Sequence, residues 1–404
     1  MIIKNDLLRI NAEKLYLLAF GIYYGAKFYE STMFVNEYPN GWLKYIKLSA
    51  MILLILKVCF FDKHYTRARL IITSVVIGLS LLTFLASTYS SLFEIVLFIV
   101  AAHRVSFDKL LCITLYVGIS MTAVAFISSK IGIISDLTYM RTNGTYRHAF
   151  GSVYPTNFAA HIFYFILADF YLCRGVLKVK RVLAYIVVVG LLEMFCNVRL
   201  TEMMILITIV SAFFIKQFNK KGKIFWAEKI LIIYSIPLCA ALSTGLCAFY
   251  TSSSALMVKL NNLLSRRLQY GSVYLKEYKY SLFGSYIEQH GNGGTVEKLS
   301  QRGISSYTYI DISYMRIMFM FGILALLIVC VIHVIYCYKR IKKGDFLWPV
   351  CIALIAISAM IDQHLIDFAY NPFIFSFLAV LYTPKMQKGG SINVEKQSGK
   401  KLYI

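Results

Sequence analysis

The chain has 404 residues, of which 59% are hydrophobic and only 15% are charged, and its mean hydropathy is +0.66. Soluble proteins carry about 25% charged residues, so this composition excludes a water-soluble globular protein. The formal charge of +22 would suggest nucleic-acid binding in a soluble chain. In a membrane protein, however, it must first be compared with the Lys and Arg that collect in cytoplasmic loops.

The apolar residues form long blocks and do not alternate with polar residues as in the strands of an outer-membrane barrel. An all-α polytopic membrane protein is therefore predicted. A hydrocarbon core of about 30 Å needs about 20 helical residues. Twelve blocks near that length are predicted to span the membrane: 13–33, 46–61, 69–86, 89–103, 109–129, 155–173, 182–196, 199–216, 229–250, 312–338, 346–362 and 366–383.

Two pairs of these spans are separated by length alone. The near-continuous apolar stretch 70–102 is too long for one span, so the polar segment 87–91 is predicted to turn a hairpin. The same reasoning divides 182–215 at residues 197–199. Lys27 and Glu30 in the first span lie three residues apart on one helix face, which favours a structural ion pair.

The distribution of basic residues predicts the orientation of the spans. With the N-terminus inside, the cytoplasmic segments hold 26 of the 42 Lys and Arg, the opposite side holds 13, and three lie within spans. Both termini are thus predicted to be cytoplasmic, with residues 1–383 as one transmembrane domain and 384–404 as a basic tail. The basic excess requires no nucleic-acid partner.

Two long segments are predicted to lie outside the cytoplasm, at 130–154 and 251–308. Uncovered connections of that length usually carry function. Within the second, leucines recur at helical spacing from Leu256 to Leu268, with polar residues elsewhere on the wheel. This pattern predicts an amphipathic helix along the membrane surface.

Signatures of nucleotide-driven or metal-assisted chemistry are absent from the sequence. It contains no Walker phosphate loop, HExxH pair, Asp-x-Asp or paired Cys/His set, so no cofactor and no metal are expected. What remains is a set of arginines on the predicted outer side, where topology does not favour positive charge. They are Arg141, Arg147, Arg199, Arg266, Arg267 and Arg302.

The planar fork of arginine suits bidentate phosphate binding. Arg199 lies at the outer end of a hairpin, where a charge must face protein, water or a ligand. An ion pair with Glu202 is the alternative interpretation. Arg267 falls inside the apolar arc of the amphipathic helix and Arg266 on its polar side, with snorkelling of Arg267 as the alternative to ligand binding. Solvation is the alternative for Arg141 and Arg302.

Asp311 is the one carboxylate near the outer start of the tenth predicted span, so it is a possible base. Helix capping explains the same position. His290, in a Gly-rich setting, is a second possible base. Asp362, His364 and Asp367 are expected to form a short, solvated outer turn.

Four stretches of the sequence belong together: RHAFGSVYPTNFAAH (147–161), NVRLTEMMILI (197–207), LLSRRLQYGSVYLKEYKYSLFG (263–284) and YIDISYMRIMFMFGILALL (309–327). In their order and spacing they resemble the Wzy-type oligosaccharide repeat unit polymerases and the related O-antigen ligases of bacterial envelopes. Tyr154-Pro155-Thr156-Asn157 stands in place of the family's tighter His-Pro-Asn. Asp311 stands where ligases carry His-Asn and many polymerases an Asp.

The resemblance implies a metal-independent membrane glycosyltransferase with a GT-C-like fold at the outer face of the bacterial cytoplasmic membrane. The growing glycan would move from undecaprenyl pyrophosphate to a sugar hydroxyl of the next lipid-linked repeat unit. Flippase and chain-length regulator proteins are the further partners that it implies. The expected catalytic residues are Asp311 and Arg199, and the expected substrate-binding residues are Arg147, Arg266, Arg267, Asn157 and His290.

One departure concerns the Arg-x10-Gly loop pattern of some of these polymerases, which does not begin at any of the four arginines Arg141, Arg147, Arg266 and Arg267. The sequence therefore does not assign an arginine to each lipid carrier. Two other functions stay open, a lipid-linked oligosaccharide flippase and an O-antigen ligase. A flippase should show repeat symmetry and short outer loops, whereas the outer loop here has 58 residues.

Overall fold

The computed structural model describes residues 2–61, 67–140, 144–221, 225–291 and 308–382. The basic tail 384–404, Arg141 and Arg302 lie outside these residues. The described chain is mostly helical, as predicted for an all-α membrane protein.

The helices of the first half are α1 (Ile2–Glu30), α2 (Phe34–Glu37), α3 (Leu43–Phe61), α4 (Arg67–Ser87), α5 (Ser91–Ala101), α6 (Phe107–Lys130), α7 (Pro155–Leu172) and α8 (Val179–Phe195). Those of the second half are α9 (Arg199–Lys221), α10 (Trp226–Ile233), α11 (Ser235–Ala248), α12 (Ala255–Leu263), α13 (Arg267–Glu277), α14 (Ser313–Arg316), α15 (Ile323–Lys342) and α16 (Leu347–Ser358). A two-stranded antiparallel sheet joins β1 (Thr138–Met140) to β2 (Tyr146–His148).

Four helical segments in the described chain are long and apolar enough to cross a membrane unaided: Leu70–Ser87, Phe107–Lys130, Arg199–Phe218 and Ile323–Lys342. The pair α10 and α11, bent by 69°, would form a fifth. The structure therefore supports a membrane protein by the length and composition of these helices. It does not reproduce the twelve predicted spans as twelve long helices.

Both predicted hairpins lie where polar residues interrupt the apolar runs. Helix α4 ends at Ser87 and α5 begins at Ser91, while α8 ends at Phe195 and α9 begins at Arg199. Asn197 in the second hairpin has a φ of 48°, in the left-handed region that Asn tolerates better than most residues.

Besides the block 229–250, which is bent between α10 and α11, two predicted spans differ from continuous helices in the structure. The block 366–383, as far as it is described, contains no α-helix; it holds a 3-10 turn at Pro372–Phe377, begun by Asn371, whose side chain accepts a hydrogen bond from Phe373 N. The block 312–338 is broken into α14, a π-helical turn at Ile317–Phe321, and α15.

Gly322 makes the break in this second block possible. Its φ is +97°, and a Cβ there would lie 2.2 Å from Leu282 O. Residues 281–285 pack directly on the broken backbone, where Ser285 N donates to Phe319 O at 3.0 Å and Ile323 N donates to Ser281 O at 3.0 Å. Irregular backbone inside a membrane needs such partners, because lipid supplies none.

The predicted amphipathic helix of residues 256–268 is also interrupted. Helix α12 ends at Leu263, Ser265 and Arg266 have φ values of 54° and 64°, and α13 begins at Arg267. Because left-handed residues cannot continue a right-handed helix, the chain turns at this point. Arg267 thereby becomes the first residue of a new helix.

Candidate functional site

The described residues enclose a cavity of about 930 Å³. This volume lies within the range of small-molecule binding sites. The cavity is lined by the end of α1, the start of α5, the β1–β2 segment, the first turns of α7, α9 and α13, residues 309–321 and residues 361–370. Five of the seven predicted site residues line it: Arg147, Asn157, Arg199, Arg267 and Asp311.

Arg147 is positioned by the β1–β2 segment and by the hairpin before α9. It pairs with Tyr139 across the sheet, and its Nε donates to Cys196 O at 2.8 Å. The Asp136 carboxylate anchors the β1–β2 segment. Its Oδ2 lies 2.8 Å from Lys130 Nζ and 2.9 Å from His148 Nδ1, and its Oδ1 accepts a hydrogen bond from Phe150 N at 2.8 Å.

Burial by itself would raise the pKa of the Asp136 carboxyl, but the hydrogen bonds from Lys130, His148 and Phe150 outweigh it and lower the pKa. The carboxylate is thus held in its charged form, and its anchoring contribution is present at neutral pH. That contribution is lost only as the pH falls through the lowered pKa.

Arg199 is the first residue of α9, and its side chain is exposed at the cavity. The alternative interpretation, an ion pair with Glu202, is not observed. Glu202 Oε1 instead accepts a hydrogen bond from Val198 N at 2.8 Å and so caps its own helix.

Arg267 lies beside Asp311, with Nη2 3.8 Å from Oδ1. Both side chains are largely buried, and Arg267 Nε is buried without a hydrogen-bond partner in the described chain. A buried guanidinium N–H without an acceptor is costly, so this group is suited to a ligand oxygen. The inward orientation predicted for Arg267 is therefore observed.

Asp311 precedes α14, whose N-cap residue is Ile312 and which has no side-chain cap. The capping explanation of Asp311 is therefore not supported. The carboxylate lines the cavity beside a cation, where a ligand can reach it.

Helices α5, α7, α9 and α13 begin at the cavity. The N-terminus of a helix carries unpaired N–H groups and a partial positive charge, so it attracts anions. A positively charged arginine at a helix N-terminus is unfavourable, because it adds to the partial positive charge there. Helices α9 and α13 nevertheless both start with an arginine. Asn157 lies in the first turn of α7. The cavity lining as a whole holds both basic and acidic side chains, and its arginines and helix N-termini are the groups that suit an anion.

The sequence did not identify Arg316 as a site residue, because it reads as one charge within an apolar span. Its Nη1 donates to Gln363 Oε1 at 3.0 Å, and its guanidinium lies 5.2 Å from the centre of the Tyr309 ring. Arg316, Gln363 and Tyr309 all line the cavity. Gln363 lies 47 residues from Arg316 in the sequence and Tyr309 lies seven residues from it, so no local pattern could have connected all three.

The expectation of a solvated turn at residues 362–367 is wrong. His364 is 1% exposed, stacks on Tyr370 at 3.6 Å between ring centres, and has Asp362 and Asp367 on its two ring nitrogens at 3.2 Å and 3.4 Å. The stack continues through Tyr370 to His161 at 3.9 Å. Asp362 and Asp367 line the cavity, so this segment forms one of its walls.

The predicted pair of Lys27 and Glu30 is present at 3.2 Å and belongs to a larger network. Lys27 also lies 3.6 Å from Glu94, and Lys47 lies 2.5 Å from Glu30. Two cations therefore balance two anions at this edge of the cavity. This is the structural role that was expected for Lys27 and Glu30.

Two predicted site residues do not reach the cavity lining. Arg266 is exposed at the left-handed turn before α13. His290 pairs with the exposed Glu288 at 2.9 Å, and its backbone N donates to Thr308 Oγ1 at 3.0 Å, while the neighbouring Gly291 does line the cavity. Both residues belong to the segment 251–308 that is predicted to lie outside the cytoplasm.

Within the described ranges, no three His, Cys, Asp or Glu side chains lie close enough together to hold a metal ion. The chemistry available in the cavity is that of guanidinium groups, helix N-termini and carboxylates. Comparison with known protein families, with curated proteins and with solved structures finds no match for this chain.

Proposed function

We propose that this protein is a polysaccharide polymerase, a membrane glycosyltransferase that acts on lipid-linked repeat units. The observation that carries the proposal is the meeting of Arg147, Arg199 and Arg267 with Asp311 in one cavity that also contains helix N-termini. A lipid pyrophosphate is an activated leaving group that needs no nucleotide. Such a group requires stabilised negative charge, which this constellation can supply.

In the proposed reaction, a hydroxyl oxygen of the acceptor unit attacks the anomeric carbon of the donor glycan. The bond from that carbon to the pyrophosphate oxygen breaks, and undecaprenyl pyrophosphate leaves. Arg147, Arg199 and Arg267 stabilise the charge that develops on it, and Asp311 accepts the hydroxyl proton. Because Arg267 Nη2 lies 3.8 Å from Asp311 Oδ1, the same guanidinium can contact both the base and the leaving pyrophosphate.

The finer architecture belongs to the same proposal. The chain crosses the bacterial cytoplasmic membrane about twelve times in a GT-C-like arrangement, with both termini cytoplasmic and the cavity at the outer face. Segments shorter than a full span, such as α5 with 11 residues and α16 with 12, complete the bundle. Flippase and chain-length regulator proteins would act before and beside this enzyme.

The deciding experiment is the length distribution of surface polysaccharide in a strain that lacks the gene. Single repeat units on the surface, restored to a ladder by the wild-type gene, are expected of a polymerase. Loss of all surface sugar would indicate a flippase instead. Lipid-linked polymer that never reaches its final acceptor would indicate a ligase. Either of these two results would refute the proposal.

A further inference from the structure

One part of the cavity is formed by residues 361–370 together with Arg316. Its polar groups differ from those around Arg147, Arg199 and Arg267. Asp362 has a side chain that is 17% exposed, and its Oδ2 has no hydrogen-bond partner in the described chain. Gln363 Oε1 accepts a hydrogen bond from Arg316 Nη1, so the amide Nε2 is directed away from the guanidinium. That Nε2 likewise has no partner among the described residues. Two consecutive residues thus offer a hydrogen-bond acceptor, Asp362 Oδ2, and a hydrogen-bond donor, Gln363 Nε2.

The surrounding contacts hold this acceptor and donor in place. Asp362 Oδ1 lies 3.2 Å from His364 Nε2 and accepts a hydrogen bond from Gln363 N at 2.9 Å. Ser313 Oγ donates to the backbone carbonyl of Asp362 at 2.5 Å and accepts a hydrogen bond from Leu365 N at 3.1 Å. Because Ser313 follows Asp311 by two residues, the same contacts tie this wall to the proposed base.

The chemistry of this pair suits a sugar better than a phosphate. A hydroxyl group donates one hydrogen bond and accepts others, so neighbouring hydroxyls match a carboxylate beside an amide. A pyrophosphate only accepts hydrogen bonds, and the Asp362 carboxylate repels it. Hydrogen bonds from hydroxyls to a carboxylate are also among the stronger ones.

We propose that Asp362 and Gln363, with Arg316 behind them, bind neighbouring hydroxyls of an uncharged sugar ring of the repeat unit. The proposal rests on the proposed function and adds the place where the glycan is recognised. It also predicts that the subsite discriminates between neutral and acidic sugars. A sugar bearing its own carboxylate would face Asp362 and Asp367 together, so a uronic acid is disfavoured in this subsite.

The test measures sugar binding without requiring turnover. Purified wild-type protein in lipid nanodiscs is titrated by saturation-transfer NMR with the methyl glycosides of glucose, galactose and mannose, and with methyl glucuronoside. Asp362→Ala and Gln363→Leu remove the acceptor and the donor separately. Glu193→Ala is the matched control, since Glu193 is an exposed carboxylate at the outer end of α8 and does not line the cavity.

At least one neutral glycoside should bind about tenfold or more tightly than the glucuronoside. Each cavity variant should weaken that binding by a similar factor, while the control and the elution profile of the protein stay unchanged. Unchanged binding in both variants, equal binding of the glucuronoside, or no binding of any glycoside would overturn the proposal. Polymer synthesis from lipid-linked units, measured in parallel, separates the two claims, because it can fail while sugar binding persists.

Discussion

Arg199 shows whether the cavity requires a guanidinium or only a positive charge. Its side chain has no ion pair with Glu202, which caps α9 instead. We expect Arg199→Lys to be nearly as damaging as Arg199→Ala, since a point charge cannot replace a bidentate fork on pyrophosphate. Both should lower the rate of polymer synthesis by about 10²-fold or more, at normal membrane levels of the protein.

Arg181→Lys is the control for this substitution. Arg181 lies at the start of α8, pairs with Asp169 at 3.1 Å and does not line the cavity. It should retain full-length chains in the same gel assay. If Arg199→Lys also retains them, Arg199 only balances charge.

Asp311→Asn tests the proposed base. The substitution preserves size and removes no side-chain cap from α14, but it does remove the negative charge 3.8 Å from Arg267. The rate is therefore compared only for a variant whose membrane level and elution profile equal those of the wild type. Loss of a general base costs roughly 10²–10⁴-fold, with lipid-linked single units accumulating. Purified protein and lipid-linked repeat units give the rate, with Glu193→Gln as the control, since Glu193 is exposed and does not line the cavity. A variant that keeps more than about a tenth of the wild-type rate would remove Asp311 from this role.

At the level of elements, the break between the π-helical turn and α15 depends on Gly322. An alanine there would adopt a φ of +97° and place its Cβ 2.2 Å from Leu282 O. We expect Gly322→Ala to destabilise the protein by about 1–3 kcal/mol, because the strain and the backbone clash add. Gly78→Ala is the control, since that position in α4 has open space. Thermal unfolding in detergent measures both, and equal transition temperatures would contradict the account.

The breaks that the sequence predicted correctly are those marked by polar residues, at 87–91 and 197–199. Gly322 lies within an apolar run, and its partner segment 281–285 is about 40 residues away, so hydropathy could not reveal that break. The same holds for the site. Residues at outer helix ends, such as Arg199 and Arg267, were predicted. Arg316 and Asp362 depend on contacts between distant segments, which no local pattern contains.

At the level of the whole molecule, the predicted topology assigns the cavity to one side of the membrane. All of its lining residues come from segments that the distribution of Lys and Arg places at or near the outer side, from residue 27 to residue 370. Two ion pairs, Arg174 with Asp108 and Arg340 with Asp345, lie in segments assigned to the cytoplasmic side. The cavity and these two ion pairs therefore fall in segments that the charge distribution assigns to opposite sides, and the topology stays a prediction.

This division predicts which positions a membrane-impermeant maleimide reaches in intact spheroplasts. Glu288→Cys, in the outer segment, should label from outside, whereas Lys178→Cys, before α8, should label only after permeabilisation. Both positions are exposed, and the background carries Cys59→Ser to remove the one exposed cysteine of the described chain. The reverse pattern would invert the topology and place the cavity in the cytoplasm. Undecaprenyl-linked units presented at the outer face could not reach it there, so the proposed reaction would fail with the topology.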